Sequence, residues 1–148
     1  MKYRKLVVLL VGCLSVSSAF AASKLPDLLR PVCPSAEAIR TEIQELGFSS
    51  ANYALGSGCL SSGCDQWFVS RNGMFQTTHK WELFLGTGFG PRVSKDRVKE
   101  GAVKLIRTLE GPIGQAEYFN DYFEGYVCRY TYSAGGRTET ARATYKLG

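Results

Sequence analysis

The chain has 148 residues, of which 45% are hydrophobic and 21% charged, with 18 basic against 13 acidic side chains and a formal net charge of +5. Lys2, Arg4 and Lys5 lie in the N-terminal leader; without them the balance is 15 to 13, or +2, and no general case for nucleic-acid binding remains. About 127 residues follow the leader, the size of one domain with one core.

The leader reads as a secretory signal peptide over 1–21. A basic start is followed by an apolar run from Leu6 to Leu14 and an Ala-x-Ala site at Ala19 and Ala21. The run is too short for a transmembrane span. The expected protein is therefore exported, periplasmic or secreted, as a single α+β domain over 22–148. The alternative is a lipoprotein, because "LVGC" from Leu10 to Cys13 resembles a box in which Cys13 would carry the lipid.

Pro26, Pro31 and Pro34 hold the start of the domain extended. A helix is expected next, capped by Ser35, buried through Ile39, Ile43 and Leu46, and ended by Gly47. A short strand is expected in "FSSANYALGSG". Asn72-Gly73 then suggests a two-residue hairpin turn, since both central positions of such a turn need positive φ. Counting back from it pairs Phe68 with Thr77, Gln66 with His79 and Cys64 with Trp81. That register puts Phe68, Phe75, His79, Trp81 and Leu83 on one face, and Trp67, Val69 and Met74 on the other.

"GTGFGPR" lacks the third glycine of a dinucleotide loop, and no Gly-Lys-Ser/Thr follows, so it reads as a flexible connection. A second helix is expected from a Ser94 cap to Gly111-Pro112, with Val98, Ala102, Leu105, Ile106 and Leu109 as its buried stripe. The remainder reads as strands turning at Gly135-Gly136. Counting outward pairs Tyr132 with Glu139, Tyr130 with Ala141, Cys128 with Ala143 and Tyr126 with Tyr145. The fold expected is α+β: an antiparallel sheet of two or more hairpins, with one or two helices packed on one face.

Four cysteines lie beyond the leader, Cys33, Cys59, Cys64 and Cys128, an even number in an exported chain. The Cys59–Cys64 spacing suits neither a zinc site nor a Cys-x-x-Cys redox couple. Disulfides Cys33–Cys128 and Cys59–Cys64 are expected, with Cys33–Cys64 and Cys59–Cys128 as the alternative pairing. A metal site is not expected. No nucleophile, base and carboxylate form a set around His79, the one histidine, so the chain reads as a binding protein rather than an enzyme.

Two groups carry the binding expectations. Tyr126 and Tyr130 fall on one face of a strand, and paired phenolates can ligate ferric haem, with His79 as a more distant candidate. Arg129 and Arg142 fall opposite each other on the polar face, unfavourable unless something acidic lies between them. The segment 110–124 is acidic, with Glu110, Glu117, Asp121 and Glu124 and no basic residue to offset them.

"VCPSAEAIRTEIQELGF", from Val32 to Phe48, resembles a group of small exported proteobacterial proteins with a Cys-Pro-Ser-x-x-x-Ile opening, some of them labelled hemin-binding. The resemblance implies a possible haem ligand and no ligating residues. The expected function is an exported, disulfide-stabilised, non-enzymatic binding protein that takes hemin. The alternative is a protein-binding module, such as an inhibitor of an extracellular enzyme, using the tips at Asn72-Gly73 and Gly135-Gly136.

Overall fold

A computed structural model describes residues 30–54, 66–75 and 79–148. Ser35 caps the first helix, α1 (Ala36–Leu46), by accepting the Ala38 N–H at 3.1 Å, which satisfies one donor at the helix start. Gly47, at φ 69°, closes it. Ile39 and Ile43 are fully buried, but Leu46 is 56% exposed, so the buried stripe ends a turn earlier than expected. The second helix, α2 (Lys95–Ile106), starts at Ser94 and buries Val98, Ala102 and Ile106. It stops short of Gly111: the N–H groups of Arg107, Thr108 and Leu109 bond to carbonyls three residues back, and this tighter tail still buries Leu109.

Six strands follow the order of the chain: β1 (Ser50–Ala54), β2 (Gln66–Met74), β3 (Trp81–Thr87), β4 (Glu117–Phe119), β5 (Gly125–Ala134) and β6 (Arg137–Lys146). They form one antiparallel sheet in the order β1-β2-β3-β6-β5-β4, and the two helices pack on it, as the α+β expectation requires. The helix-facing side carries Trp67, Val69, Leu83, Leu85, Cys128 and Tyr130, all buried with the helix residues in one core. Each large apolar side chain there contributes about 1.5–3 kcal/mol relative to exposure. Among the described residues, no helix is long and apolar enough to cross a membrane. Residues 1–29, Cys13 included, lie outside the described residues.

The β5–β6 hairpin has the expected register, with Tyr132↔Glu139, Tyr130↔Ala141, Cys128↔Ala143 and Tyr126↔Tyr145. Gly135 and Gly136 turn it with φ 57° and 77°, the left-handed pair a two-residue hairpin needs.

The first hairpin differs from its expectation. β2 runs through Asn72-Gly73 instead of turning there. Its ladder with β3 goes from Trp67↔Thr87 to Arg71↔Leu83 and resumes at Met74↔Trp81, so β2 has one extra residue. Asn72-Gly73 forms a bulge, and the positive φ of Gly73 (70°) serves that bulge. The faces change accordingly: Trp67, Val69 and Met74 join Trp81, Leu83 and Leu85 in the core, and Phe68 points the other way. The expected register would have left Trp67 and Val69 outside. Burying them decides the pairing, because a shift by one residue moves a strand's whole apolar set to the other face.

The "GTGFGPR" segment is fixed rather than flexible. Trp67 donates from Nε1 to the Gly90 carbonyl at 3.1 Å, and the Phe89 ring sits on α2 at Gly101, where a Cβ would come within 2.2 Å of it.

Cys33 and Cys128 form a disulfide, with Cα atoms 5.8 Å apart and a sequence separation of 95. This overturns the alternative pairing; Cys59 and Cys64 lie outside the described residues. The bridge belongs to a set of ties that fix the start of α1 against β5 and against the segment after α2. Tyr130 donates from its hydroxyl to the Pro34 carbonyl at 2.6 Å, Arg40 donates to the Leu109 carbonyl at 2.5 Å, and the Ala36 N–H donates to Gly111.

Candidate functional site

The two tyrosines expected to hold a ligand are in the core. Tyr126 is 4% exposed, and its ring meets Tyr118 edge-on at 5.6 Å. Tyr130 is fully buried and spends its hydroxyl on Pro34. Burial also pushes the Tyr130 phenol well above its ordinary pKa, which disfavours a ligating phenolate. His79 stacks edge-on against Tyr145 at 4.6 Å, with Trp81 on that same tyrosine at 5.7 Å. No three metal-ligating side chains cluster among the described residues.

The arginines behave differently from each other. Arg129 and Arg142 are cross-strand partners, as expected. Glu117, on the next strand, relieves the like-charge contact by accepting from Arg129 at 3.0 Å, so part of the acidic segment meets its counter-charge. Arg142 has neither an ion pair nor a hydrogen bond with any described residue.

Arg142 stands where the sheet forks. β3 and β6 pair from Trp81↔Tyr145 to Phe84↔Arg142, and there the ladder stops. Continued register would set Gly86 opposite Thr140. Instead the Tyr132 side chain reaches across, and its hydroxyl donates to the Gly86 carbonyl. Clefts open on both sides of this bridge, and Gln66, Gly86, Tyr132 and Glu139 border both. The cleft on the face away from the helices has a volume of about 440 Å³; Phe68, Phe84, Phe123 and Arg142 line it. Phe84 is 37% exposed there.

No family model, curated protein or solved structure matches the chain.

The helix-side cleft has a volume of about 370 Å³ and holds Thr87, Phe89, Leu105 and Arg137. Thr87 is 1% exposed, and its hydroxyl has no hydrogen-bond partner among the described residues. An unmade buried bond of this kind costs about 1–3 kcal/mol. The sequence marks Arg142 but neither the fork nor Thr87. Where a ladder stops depends on what reaches into it, and no local pattern announces the crossing by Tyr132.

The buried phenols make stability sensitive to alkali. Burial, reinforced by the Glu139 carboxylate, pushes Tyr132 up to about 12, from an ordinary value of 10.0. Above pH 10 the unfolded chain loses phenolic protons that the folded chain keeps, so this contribution to stability is intact below pH 10 and is lost as the pH rises toward 12. Urea midpoints measured from pH 8 upward are expected to drop steeply in that window, and less steeply in Tyr132→Phe. A flat profile would contradict the buried, protonated state of these tyrosines.

Proposed function

We propose that the protein is an exported, disulfide-stabilised binding module rather than an enzyme, and that it holds an amphipathic anion on the sheet face away from the helices. The observation that carries this reading is Arg142, a guanidinium without a described partner, set among Phe68, Phe84 and Phe123. The rings accept an apolar body by stacking, and the guanidinium pairs with a carboxylate. Hemin has this chemistry, a flat apolar macrocycle carrying two propionates. The resemblance of Val32 to Phe48 to exported proteins with a hemin-binding label supports the same ligand. On this reading hemin stacks at the fork, and neither Tyr126 nor Tyr130 binds its iron.

A hemin titration followed by the Soret band tests the proposal. Arg142→Ala is expected to weaken binding about tenfold, the effect of removing a charge-assisted hydrogen bond, while Tyr130→Phe leaves affinity and band position unchanged. An unchanged Soret band with the wild-type protein would overturn the hemin reading, and so would wild-type affinity in Arg142→Ala. The alternative, an inhibitor presenting hairpin tips, keeps Gly135-Gly136 as a tip, whereas Asn72-Gly73 is a bulge within β2.

A further inference from the structure

The helix-side cleft of the fork has a chemistry of its own. Arg137 and Glu139 lie two residues apart on β6, so both side chains project from the same face of the strand. Their cross-strand partners, Ala134 and Tyr132, share that face. Both residues line the cleft, and neither forms an ion pair or hydrogen bond with a described residue, with each other included. Both are exposed, so a cation and an anion stand side by side at the cleft, neither committed to a described protein partner. Leu105 from α2 and Phe89 supply apolar wall, and the Phe89 wall is held in place by the Trp67–Gly90 bond and by its seat on Gly101. Thr87 belongs to the same lining, and its buried hydroxyl has no hydrogen-bond partner among the described residues.

We propose that this cleft binds a small zwitterion, a free α-amino acid with an apolar side chain. Its carboxylate pairs with Arg137, its ammonium with Glu139, and its side chain packs on Leu105 and Phe89. The Thr87 hydroxyl makes its missing bond to the ligand. A plain carboxylate would leave Glu139 beside it as an uncompensated like charge, and a plain amine would meet Arg137 in the same way. Both charges are matched together only by a ligand that carries both signs within a few bonds. The two clefts share Gln66, Gly86, Tyr132 and Glu139 as a common border, but amino-acid binding on the helix side needs no hemin on the far face.

Isothermal titration of the purified, oxidised protein with L-leucine, N-acetyl-L-leucine and L-leucinamide tests the inference. L-leucine is expected to bind. Each blocked derivative, having lost one of the two charges, is expected to bind at least about tenfold more weakly, as are Arg137→Gln and Glu139→Gln toward L-leucine. Thr87→Val removes the hydroxyl at constant shape. It is expected to weaken L-leucine binding while leaving the thermal midpoint unchanged or higher, because the hydroxyl lost was unsatisfied. A variant that merely failed to fold would lower that midpoint. The proposal is overturned if L-leucine gives no binding at millimolar concentration, or if the blocked derivatives bind as well as the free amino acid. Wild-type affinity in Arg137→Gln or Glu139→Gln also overturns it.

Discussion

Replacing Cys33 and Cys128 together by alanine is expected to lower the unfolding free energy by about 4–5 kcal/mol. The bridge closes a loop of 95 residues, most of the described chain, and the chain-entropy relation gives about that figure for such a loop. In a domain whose whole stability is about 5–15 kcal/mol, this is a large share. Local geometry adds to it. Cys128 is fully buried between Tyr126 and Tyr130 on the helix-facing side of β5, and opposite it lies Ala143, small enough to leave room for the bridge. Cys33 precedes α1 directly, so its loss leaves that helix held by Tyr130, Arg40 and the Ala36–Gly111 bond. Urea unfolding of the oxidised protein against the double variant measures the difference. A loss under about 1 kcal/mol would mean that the unfolded chain is already restricted elsewhere.

Gly125→Ala is expected to cost about 3 kcal/mol or more and to disturb the sheet around β5. Gly125 opens β5 and pairs with Phe119 on one side and Lys146 on the other, so backbone closes in from both directions. A Cβ there would stand 2.1 Å from the Tyr145 carbonyl oxygen and 3.1 Å from the Lys146 Cα. Both are main-chain atoms, and neither can move without opening the β5–β6 ladder, which places this change at the severe end of overpacking. Gly101→Ala is the informative comparison. Its Cβ also overlaps a neighbour, at 2.2 Å, but that neighbour is the tip of a side chain, Phe89, which yields at lower cost than main chain in a sheet. Thermal melts of the two variants are expected to show the larger drop for Gly125→Ala; the reverse order would mean that the Phe89 wall is the more rigid.

The two hairpins show what was legible in the sequence. Gly135-Gly136 forces a reversal because both residues adopt left-handed φ and strands of alternating pattern flank them, so the register of the β5–β6 pair follows by counting. Asn72-Gly73 carries the same local signal, yet a left-handed Gly73 serves a bulge equally well. Turn chemistry alone does not separate these outcomes; the competition between Trp67 with Val69 and Phe68 for the core does. The helices were readable from Ser35, Ser94 and the apolar spacing, although the α2 tail tightens before Gly111.

The candidate site was legible only in its charge. Arg129 opposite Arg142 signals an unmet charge, and Glu117 meets that of Arg129. The tyrosines pointed elsewhere: Tyr126 and Tyr130 do share a face, but it is the face the helices cover. The fork depends on Tyr132 crossing to Gly86, a contact between residues 46 apart that no periodicity reports.

The proposed hemin site lies on the far face at Arg142 and not among the core tyrosines. Ferric hemin broadens the amide signals nearest to it, so ¹⁵N-correlated spectra recorded as hemin is added locate the bound iron directly. Broadening centred on Phe68, Phe84 and Arg142 is expected, with Tyr126 and Tyr130 less affected. Broadening centred on Tyr126 and Tyr130, or none at any residue, would contradict it.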